Sequence, residues 1–318
     1  MELGNIFKLI QNENMKIYRR VSTWIMLVLL IAVALVVGIV MNATAPESID
    51  ENWKKNVQQE NEMLKANLEN EDYPKLARDT FEKELAINEY RLEHDIAPLE
   101  TRSSWNFMII AAEIVSLITL FTVVVGASSV ASEFTWGTIK LLLIRPVSRA
   151  KILLSKYLAT ILFALFSLVL LFVVSFLVGI IFFGGGDPTA HLVYRDGAVQ
   201  EVNMVSYILG VFGLKSINLI MMSTFAFMIS TIFRNSGLAI GLAIFLMFAG
   251  LNVTLILASN FDWAKYILFA NTDLSQYLTG NILIDGMTMP FSIIMLIIYF
   301  VIFNALTWFV FTKRDVAA

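Results

Sequence analysis

The sequence predicts an all-α integral membrane protein with six transmembrane helices. Of its 318 residues, 58% are hydrophobic and only 15% are charged, whereas a soluble domain carries about 25% charged residues. The mean hydropathy is +0.72. Apolar runs of about 20 residues, the length of helix that crosses the hydrocarbon core, recur along the chain. We predict spans at 21–41, 105–131, 152–183, 206–232, 237–258 and 290–311.

The first 20 residues predict a helix that lies along the cytoplasmic membrane surface. Leu3, Ile6, Phe7 and Ile10 keep helical spacing among charged neighbours, as in interfacial amphipathic helices. A frayed tail is the alternative. The following apolar run is about 21 residues long, beyond the 7 to 15 residues of a signal peptide, so we predict that it is retained as the first span.

Positive charge indicates the orientation of the spans. With both termini inside, Lys and Arg gather in the cytoplasmic segments, and the short outer loops hold only Arg195 and Lys265. Cytoplasmic loops of membrane proteins are enriched in these residues. We therefore predict a multi-pass plasma-membrane protein whose tail, residues 312–318, is cytoplasmic.

Residues 42–104 predict an extracellular helical hairpin. Acidic residues outnumber basic ones 15 to 8 in this segment, and Pro74 separates two runs with helical spacing. Most of these charges fit a solvated face, although a ligand site there stays open. Residues 184–205 predict an extracellular loop, and residues 259–289 an extracellular or re-entrant segment, because both are too polar to span.

Some kinds of site are disfavoured by composition. The chain has no cysteine, which excludes disulfides, thiolate metal sites and cysteine nucleophiles. His94 and His191 have no second His or Cys at ligand spacing, so we predict that both are solvated and that no metal binds. The net charge of -3 gives no indication of a nucleic-acid partner.

Two charged residues, Glu113 and Lys215, lie well inside predicted spans, away from the span ends. Glu113 lies about 12 Å into the second span from its outer end, at a rise of about 1.5 Å per residue, and Lys215 lies at a similar depth in the fourth. Charged groups in hydrocarbon usually pair or face water. We predict that Glu113 and Lys215 approach each other or share a polar cavity, either as substrate contacts or as a structural ion pair.

Residues 132–151, between the second and third spans, form a short basic cytoplasmic segment that we call the elbow. Residues 139–144 are suited to a short helix, which Pro146 ends by disfavouring helix in the residue before it. Gly137 permits a close turn, and Ser148 fits the N-cap of the third span. A rigid knob between two spans is predicted, although Lys and Arg alone would fit an ordinary inner loop.

The elbow closely resembles the signature of ABC-2 type transporter permeases, which have a type V exporter-like fold. In that family the motif reads as Glu, Gly-Thr, a Leu pair, Pro-x-Ser-Arg and a following Lys. Here it comprises Glu133, Gly137, Thr138, Leu141, Leu142, Arg145, Pro146, Ser148, Arg149 and Lys156. The interfacial start, the six spans, the long first outer loop and the polar stretch before the last span resemble the family as well.

The resemblance implies a function. The elbow would be a coupling helix that docks on a separate ABC ATP-binding subunit, present in two copies, with Glu133 near the contact. A second permease copy or a related permease would complete the transporter, which exports a hydrophobic or amphipathic cargo such as a peptide antibiotic, a lipid or a drug. No G-x-x-x-x-G-K-[ST] motif occurs in the sequence, so this chain would bind no cofactor and catalyse no reaction. ATP and Mg²⁺ would be bound by the partner.

Two other classes of function stay open. A ligand-sensing or immunity module would bind through the outer hairpin. An intramembrane enzyme would need a concentrated set of acid, base, nucleophile or metal ligands, and the spans offer only Glu113 and Lys215.

Overall fold

The computed structural model describes residues 2–46, 52–70, 72–143, 147–186, 190–195, 197–284 and 286–313. Within these ranges the chain is mostly helical. The helices are α1 Glu2–Tyr18, α2 Val21–Thr44, α3 Trp53–Glu69, α4 Lys75–His94, α5 Ser104–Ala111, α6 Val115–Thr135, α7 Ile139–Leu143, α8 Arg149–Phe183, α9 Met204–Ile232, α10 Ser236–Ala258, α11 Leu268–Asn271, α12 Gln276–Thr279 and α13 Met289–Lys313.

Six helices in the described ranges are long and apolar enough to cross a membrane, which confirms the predicted number. They are α2, the continuous run of α5 and α6 (Ser104–Thr135), α8, α9, α10 and α13. The largest difference in bounds is at the end of the second span, predicted at 131 and found at Thr135. The run of α5 and α6 contains a 3₁₀ turn at Ala112–Ile114.

Local capping explains where several spans begin. The side chains of Ser103, Ser148, Asn203 and Asn235 each accept a hydrogen bond from a backbone N–H in the first turn of the helix that follows. These residue types stabilise helix starts because the first N–H groups have no partner within the helix. The predicted N-cap role of Ser148 is confirmed, with Lys151 as its donor at 3.4 Å.

Helix α9 lies at the centre of the bundle and contacts α6, α8, α10 and α13. Its approach to α6 depends on small side chains, since a Cβ at Gly126 would lie 3.4 Å from Cβ of Ala226. Ser230 Oγ accepts hydrogen bonds of 3.0 Å from the backbone N–H groups of Val130 and Ala131. Small residues and interhelical hydrogen bonds are the usual means of helix association in lipid.

The outer faces of several spans are apolar. Exposed residues on α2, α10 and α13 include Ile25, Phe245, Ile256, Ile297 and Val301. Exposed apolar side chains on this scale are expected where lipid replaces water around a helix.

Helices α3 and α4 pack against each other as a hairpin. Val57 and Leu64 are buried between them, and a Lys65–Glu89 ion pair of 3.2 Å joins their exposed faces. The hairpin also contacts the end of α12, since Lys83 donates a 2.5 Å hydrogen bond to the carbonyl of Gly280.

The fold is mostly helical, as predicted, but the segment predicted as a loop at 184–205 contains a β-hairpin. Residues Ala190–Arg195 (β1) and Ala198–Asn203 (β2) pair antiparallel, from Ala190 with Asn203 to Arg195 with Ala198. Gly197 has φ 79°, the left-handed conformation that tight hairpin turns require. The sequence signal was Asp196-Gly197 between residues of high β-propensity.

The segment predicted to be extracellular or re-entrant consists of short helices. A 3₁₀ helix at Asp262–Tyr266 precedes α11 and α12, and α11 contacts α10 and α13. Asn271 is fully buried and donates to the carbonyls of Lys265 and Ile267, while its Oδ1 accepts from Ser292 at 2.7 Å. These bonds satisfy the backbone of a non-spanning segment inside the protein.

Candidate functional site

The elbow makes a sharp turn between two long helices. Helix α6 ends at Thr135, and Gly137, at φ 71°, allows the chain to reverse into the five-residue helix α7. Ile139 fixes α7 because its side chain is buried in a cluster that includes Leu153 and Phe311. The predicted short helix is present from Ile139 to Leu143 among the described residues. It packs on the start of α8 and on the end of α13.

A buried ion cluster lies directly behind the elbow. Lys156 is only 3% exposed, and its Nζ lies 2.7 Å from Oε1 of Glu133 and 2.8 Å from Oε2 of Glu13. Lys16 Nζ lies 2.7 Å from Oε1 of Glu13 and 3.2 Å from Oε1 of Glu133. The Thr138 hydroxyl donates to Oε2 of Glu133. We call Glu13, Lys16, Glu133 and Lys156 the four-charge cluster.

Three helices supply this cluster, and a fourth segment contacts it through Thr138. Glu13 and Lys16 are one turn apart on α1, Glu133 is in the last turn of α6, Thr138 immediately precedes α7, and Lys156 is in the second turn of α8. Two carboxylates balance two ammonium groups. Burial of charge is tolerated only with this kind of pairing and hydrogen bonding, and removal of one partner leaves an uncompensated buried charge.

Charge pairing also affects Lys16, which lies outside the spans. Burial by itself lowers the pKa of Lys16. Hydrogen bonds and attraction from Glu13 and Glu133 outweigh burial, and the net effect raises the pKa above its usual value. The two carboxylates therefore favour the charged form of Lys16.

The exposed face of the elbow, on the side away from the four-charge cluster, is partly apolar. Trp136 is 64% exposed and Leu141 is 67% exposed, with the exposed Lys140 beside them. The Arg20 guanidinium lies 5.4 Å from the centroid of the Trp136 ring. Tryptophan and arginine are both enriched at the centres of protein interfaces.

The other predicted elbow residues take different positions. Leu142 lies in α7, and Arg149 begins α8 and donates a 3.4 Å hydrogen bond to the carbonyl of Thr312. Arg145 and Pro146, and the side chain of Leu142, lie outside the described residues. Glu133, which the resemblance places near a partner, has its carboxylate directed inward to the cluster. It can position the elbow but presents no charge on the exposed face.

Sequence reasoning missed Glu13 and Lys16. Their i, i+3 spacing on an interfacial helix is a weak signal of a local ion pair. Nothing in the sequence showed that Lys16 would meet Glu133, 117 residues further along the chain.

Glu113 and Lys215 are brought together. Lys215 Nζ lies 3.2 Å from Oε1 of Glu113 and 4.0 Å from Oδ2 of Asp273. The lysine side chain is 10% exposed, whereas that of Glu113 is 77% exposed. Glu113 lies in the 3₁₀ turn between α5 and α6, and short 3₁₀ stretches within long helices often occur at functional hinges. A cavity of about 40 Å³ beside the pair is too small for a cargo molecule.

The prediction of a solvated His191 is wrong. Its ring lies 4.2 Å from the ring centroid of Tyr207, and burial together with the charge of Arg91 lowers the pKa of His191 to about 4. Among the described residues, no group of three or more His, Cys, Asp or Glu side chains is arranged to hold a metal ion.

Comparison with known proteins places this architecture in a family. The family DUF2705, described as a protein of unknown function, matches residues 82–317. The chain belongs to the DUF2705 family. The match includes the elbow, the Glu113–Lys215 pair and five of the six spans.

Two relatives of this DUF2705 protein come from Bacillus subtilis strain 168. The uncharacterized protein YhcI is 44% identical over 315 residues, which cover 98% of this chain and all of YhcI. The uncharacterized membrane protein YdbK is 34% identical over 203 residues, covering 63% of this chain and 78% of YdbK. With six apolar helices of spanning length and a relative called a membrane protein, this DUF2705 protein is a multi-pass membrane protein.

Proposed function

We propose that this protein is the membrane subunit of an ATP-driven exporter and takes its energy from a separate ATP-binding subunit. The observation that carries the proposal is the four-charge cluster behind the elbow. Through Glu133 and Lys156, a single group of buried ion pairs links α1, α6 and α8, and Thr138 adds the start of α7. The motif that resembles ABC-2 permeases surrounds the same residues.

The cluster supports a mechanical role for the elbow. A partner that moves α7 would pull on Thr138 and Ile139, which contact Glu133 and the packed ends of α8 and α13. Because buried ion pairs resist separation, the displacement passes to the spans as a rigid movement. The exposed Trp136 and Leu141 offer the apolar anchor by which the partner grips the elbow.

The proposal requires nucleotide chemistry from another polypeptide. This sequence contains no phosphate-binding P-loop, so ATP and Mg²⁺ bind to the partner. Two permeases and two ATP-binding subunits make the complete transporter, and the second permease is an identical copy or a related chain. The cargo is hydrophobic or amphipathic, as in the family that the elbow resembles.

The exposed position of Glu113 supports the proposal that this side of the second span faces a polar environment and not lipid. Its carboxylate is 77% exposed although it lies inside an apolar span, and a charge facing hydrocarbon is costly. A second permease, or an aqueous route between two copies, would supply the polar surroundings that this face requires. The Glu113–Lys215 pair then lines the export route.

The orientation is part of the proposal. The elbow and both termini lie in the cytoplasm, and the α3–α4 hairpin lies outside. Ser236, at the start of α10, lies at the same end of the bundle as the elbow, because its backbone N–H donates a hydrogen bond to Thr135 Oγ1. In the proposed orientation, Ser259 at the other end of α10 would lie at the outer surface.

Single-cysteine variants test the orientation because the native chain has no cysteine. Leu141→Cys should react with a membrane-impermeant maleimide only in permeabilised cells. Ser259→Cys and Met63→Cys, on the hairpin, should react in intact cells. Reaction of Leu141→Cys from outside intact cells would refute the proposal.

The same variants test the partner. A maleimide-linked photoreactive reagent on Leu141→Cys, activated in native membranes, should crosslink a protein whose sequence contains a P-loop, and the reagent on Ser259→Cys should not. Mass spectrometry identifies the crosslinked chain. Crosslinks from position 141 to membrane lipids or to copies of this chain alone would contradict the proposed coupling.

A further inference from the structure

The end of the molecule opposite the elbow contains two adjacent cavities that transport coupling does not explain. They have volumes of about 370 Å³ and about 450 Å³, within the range of small-molecule sites. Arg91 of α4 and His191 and Leu192 of β1 line both cavities. The α3–α4 hairpin and the β-hairpin thus enclose a divided chamber around one arginine.

Arg91 is poorly compensated in this position. Its Nε is buried and has no hydrogen-bond partner, which is unusual for a charged donor because a buried polar group without a partner is destabilising. Burial lowers the pKa of Arg91, and the Glu60 carboxylate opposes this effect by electrostatic attraction. The guanidinium therefore has capacity for an additional anionic partner.

Arg91 and Lys83 are cations that line the chamber, and Arg91 is the one that borders both cavities. His191 is neutral near pH 7, because burial and the Arg91 charge keep its pKa at about 4. Lys83 already donates to the Gly280 carbonyl at 2.5 Å. Glu60 and Glu100 line the two cavities but lie at exposed positions, where water solvates their charge and weakens its effect.

The smaller cavity has an apolar wall as well as the Arg91 guanidinium. Ile96, Pro98, Leu99, Trp105 and Leu192 form its wall beside Arg91. The larger cavity is lined mostly by polar and charged side chains, among them Thr80, Glu84 and Asn88, and offers no comparable apolar wall. An oxyanion at Arg91 would therefore extend its apolar portion into the smaller cavity.

We propose that this chamber binds a small carboxylate with an apolar portion, held by Arg91 and packed against Leu99 and Trp105. Arginine suits this role because its planar guanidinium donates two parallel hydrogen bonds to a carboxylate. The site is on the opposite side of the fold from the elbow. The proposal does not depend on an ATP-binding partner or on export.

Calorimetry on the full-length protein in lipid nanodiscs tests the site with two matched probes. The first is 4-phenylbutyrate, a carboxylate with a short apolar portion, and the second is the neutral 4-phenylbutanamide. We expect saturable binding of one equivalent of the acid and at least about tenfold weaker binding of the amide, since hydrogen bonds to charged groups are the stronger kind. Equal binding of the two probes, or no saturable binding of the acid, overturns the proposal and leaves Arg91 solvated by water only.

Variants locate the binding. Arg91→Gln should weaken binding of the acid at least about tenfold, whereas Lys65→Gln, which removes an exposed cation of the same hairpin, should leave it unchanged. Glu60→Gln should strengthen binding several-fold, because it removes the carboxylate that competes for Arg91. Stronger binding in Glu60→Gln is not expected if Arg91 has a purely structural role. This variant therefore tests the site even if Arg91→Gln does not fold. Unchanged binding in both Arg91→Gln and Glu60→Gln would place the probe elsewhere.

Discussion

Lys156 and Glu133 form a buried ion pair, with 2.7 Å between Nζ and Oε1, that joins the start of α8 to the end of α6 directly behind the elbow. Glu13 and Lys16 extend this pair to the interfacial helix α1. The helix that lies before the first span and the turn between the second and third spans are therefore one mechanical unit.

Removal of Lys156 should destabilise the protein strongly. Lys156→Met leaves Glu13 and Glu133 facing each other with only Lys16 between them, and loss of one partner of a buried pair costs about 3–5 kcal/mol. Thermal unfolding in detergent should show a large decrease in the melting temperature. Lys140→Met, which removes an exposed elbow cation, should change the free energy of unfolding by less than about 0.5 kcal/mol.

A second change should compensate for the first. In the double variant Glu133→Gln, Lys156→Met, one carboxylate and one ammonium group are removed together, so part of the lost stability should return. Additive effects of the two single variants would show that the residues do not interact.

Gly137 should be replaceable only by residues that tolerate its backbone conformation. Its φ of 71° disfavours β-branched side chains, while Asn is several-fold enriched in this region. Gly137→Val should insert normally but reduce crosslinking from Leu141→Cys to the proposed ATP-binding subunit, and Gly137→Asn should retain it. A difference between the Val and Asn variants would reflect backbone conformation and not a steric clash, since no atom lies within 4 Å of a Cβ at this position. Equal crosslinking in the two variants would show that the backbone conformation of Gly137 does not position the elbow.

The Glu113–Lys215 pair should contribute little to stability. Because Glu113 is 77% exposed, a double-mutant cycle with Glu113→Gln and Lys215→Met should give an interaction energy below about 1 kcal/mol. If the pair lines an export route, Glu113→Gln should alter export while the melting temperature stays constant. An interaction energy of several kcal/mol would instead identify a structural pair.

Acid should loosen the β-hairpin through His191. The folded-state pKa of about 4 lies below the ordinary value of 6.5, so between these values the unfolded hairpin binds more protons than the folded one. Stability is therefore full above about pH 6.5 and decreases as the pH falls toward 4. Hydrogen exchange of β1 and β2 should be faster at pH 5 than at pH 7 after correction for intrinsic rates. His191→Gln should abolish this difference, and an unchanged difference in the variant would assign it to other groups.

The sequence predicts the spans well because each depends on local composition. Apolar runs such as Val21–Thr44 are long enough to identify a helix in lipid without knowledge of its neighbours. Capping at Ser148 and the turn at Gly137 are likewise local, and both are found as expected. The β-hairpin had a local signal in Asp196-Gly197 that the apolar context of the chain obscured.

The site was less predictable because it depends on tertiary contacts. The inward direction of Glu133 is set by Lys156 and Thr138, and the roles of Glu13 and Lys16 follow from the packing of α1 on α8. The enclosure of Arg91 depends on a β-hairpin about 100 residues away in the chain. No periodicity within either segment indicates these contacts.

ATP hydrolysis by the protein isolated from its own membrane tests the central claim most directly. A complex purified through a tag on this chain should hydrolyse ATP. Leu141→Asp, which places a charge on the exposed apolar face of the elbow, should lose the activity together with the ATP-binding subunit. The matched control Met63→Asp, an equally exposed apolar residue on the α3–α4 hairpin, should retain both. Absence of ATP hydrolysis from the wild-type complex, or equal activity in the two variants, would contradict the account.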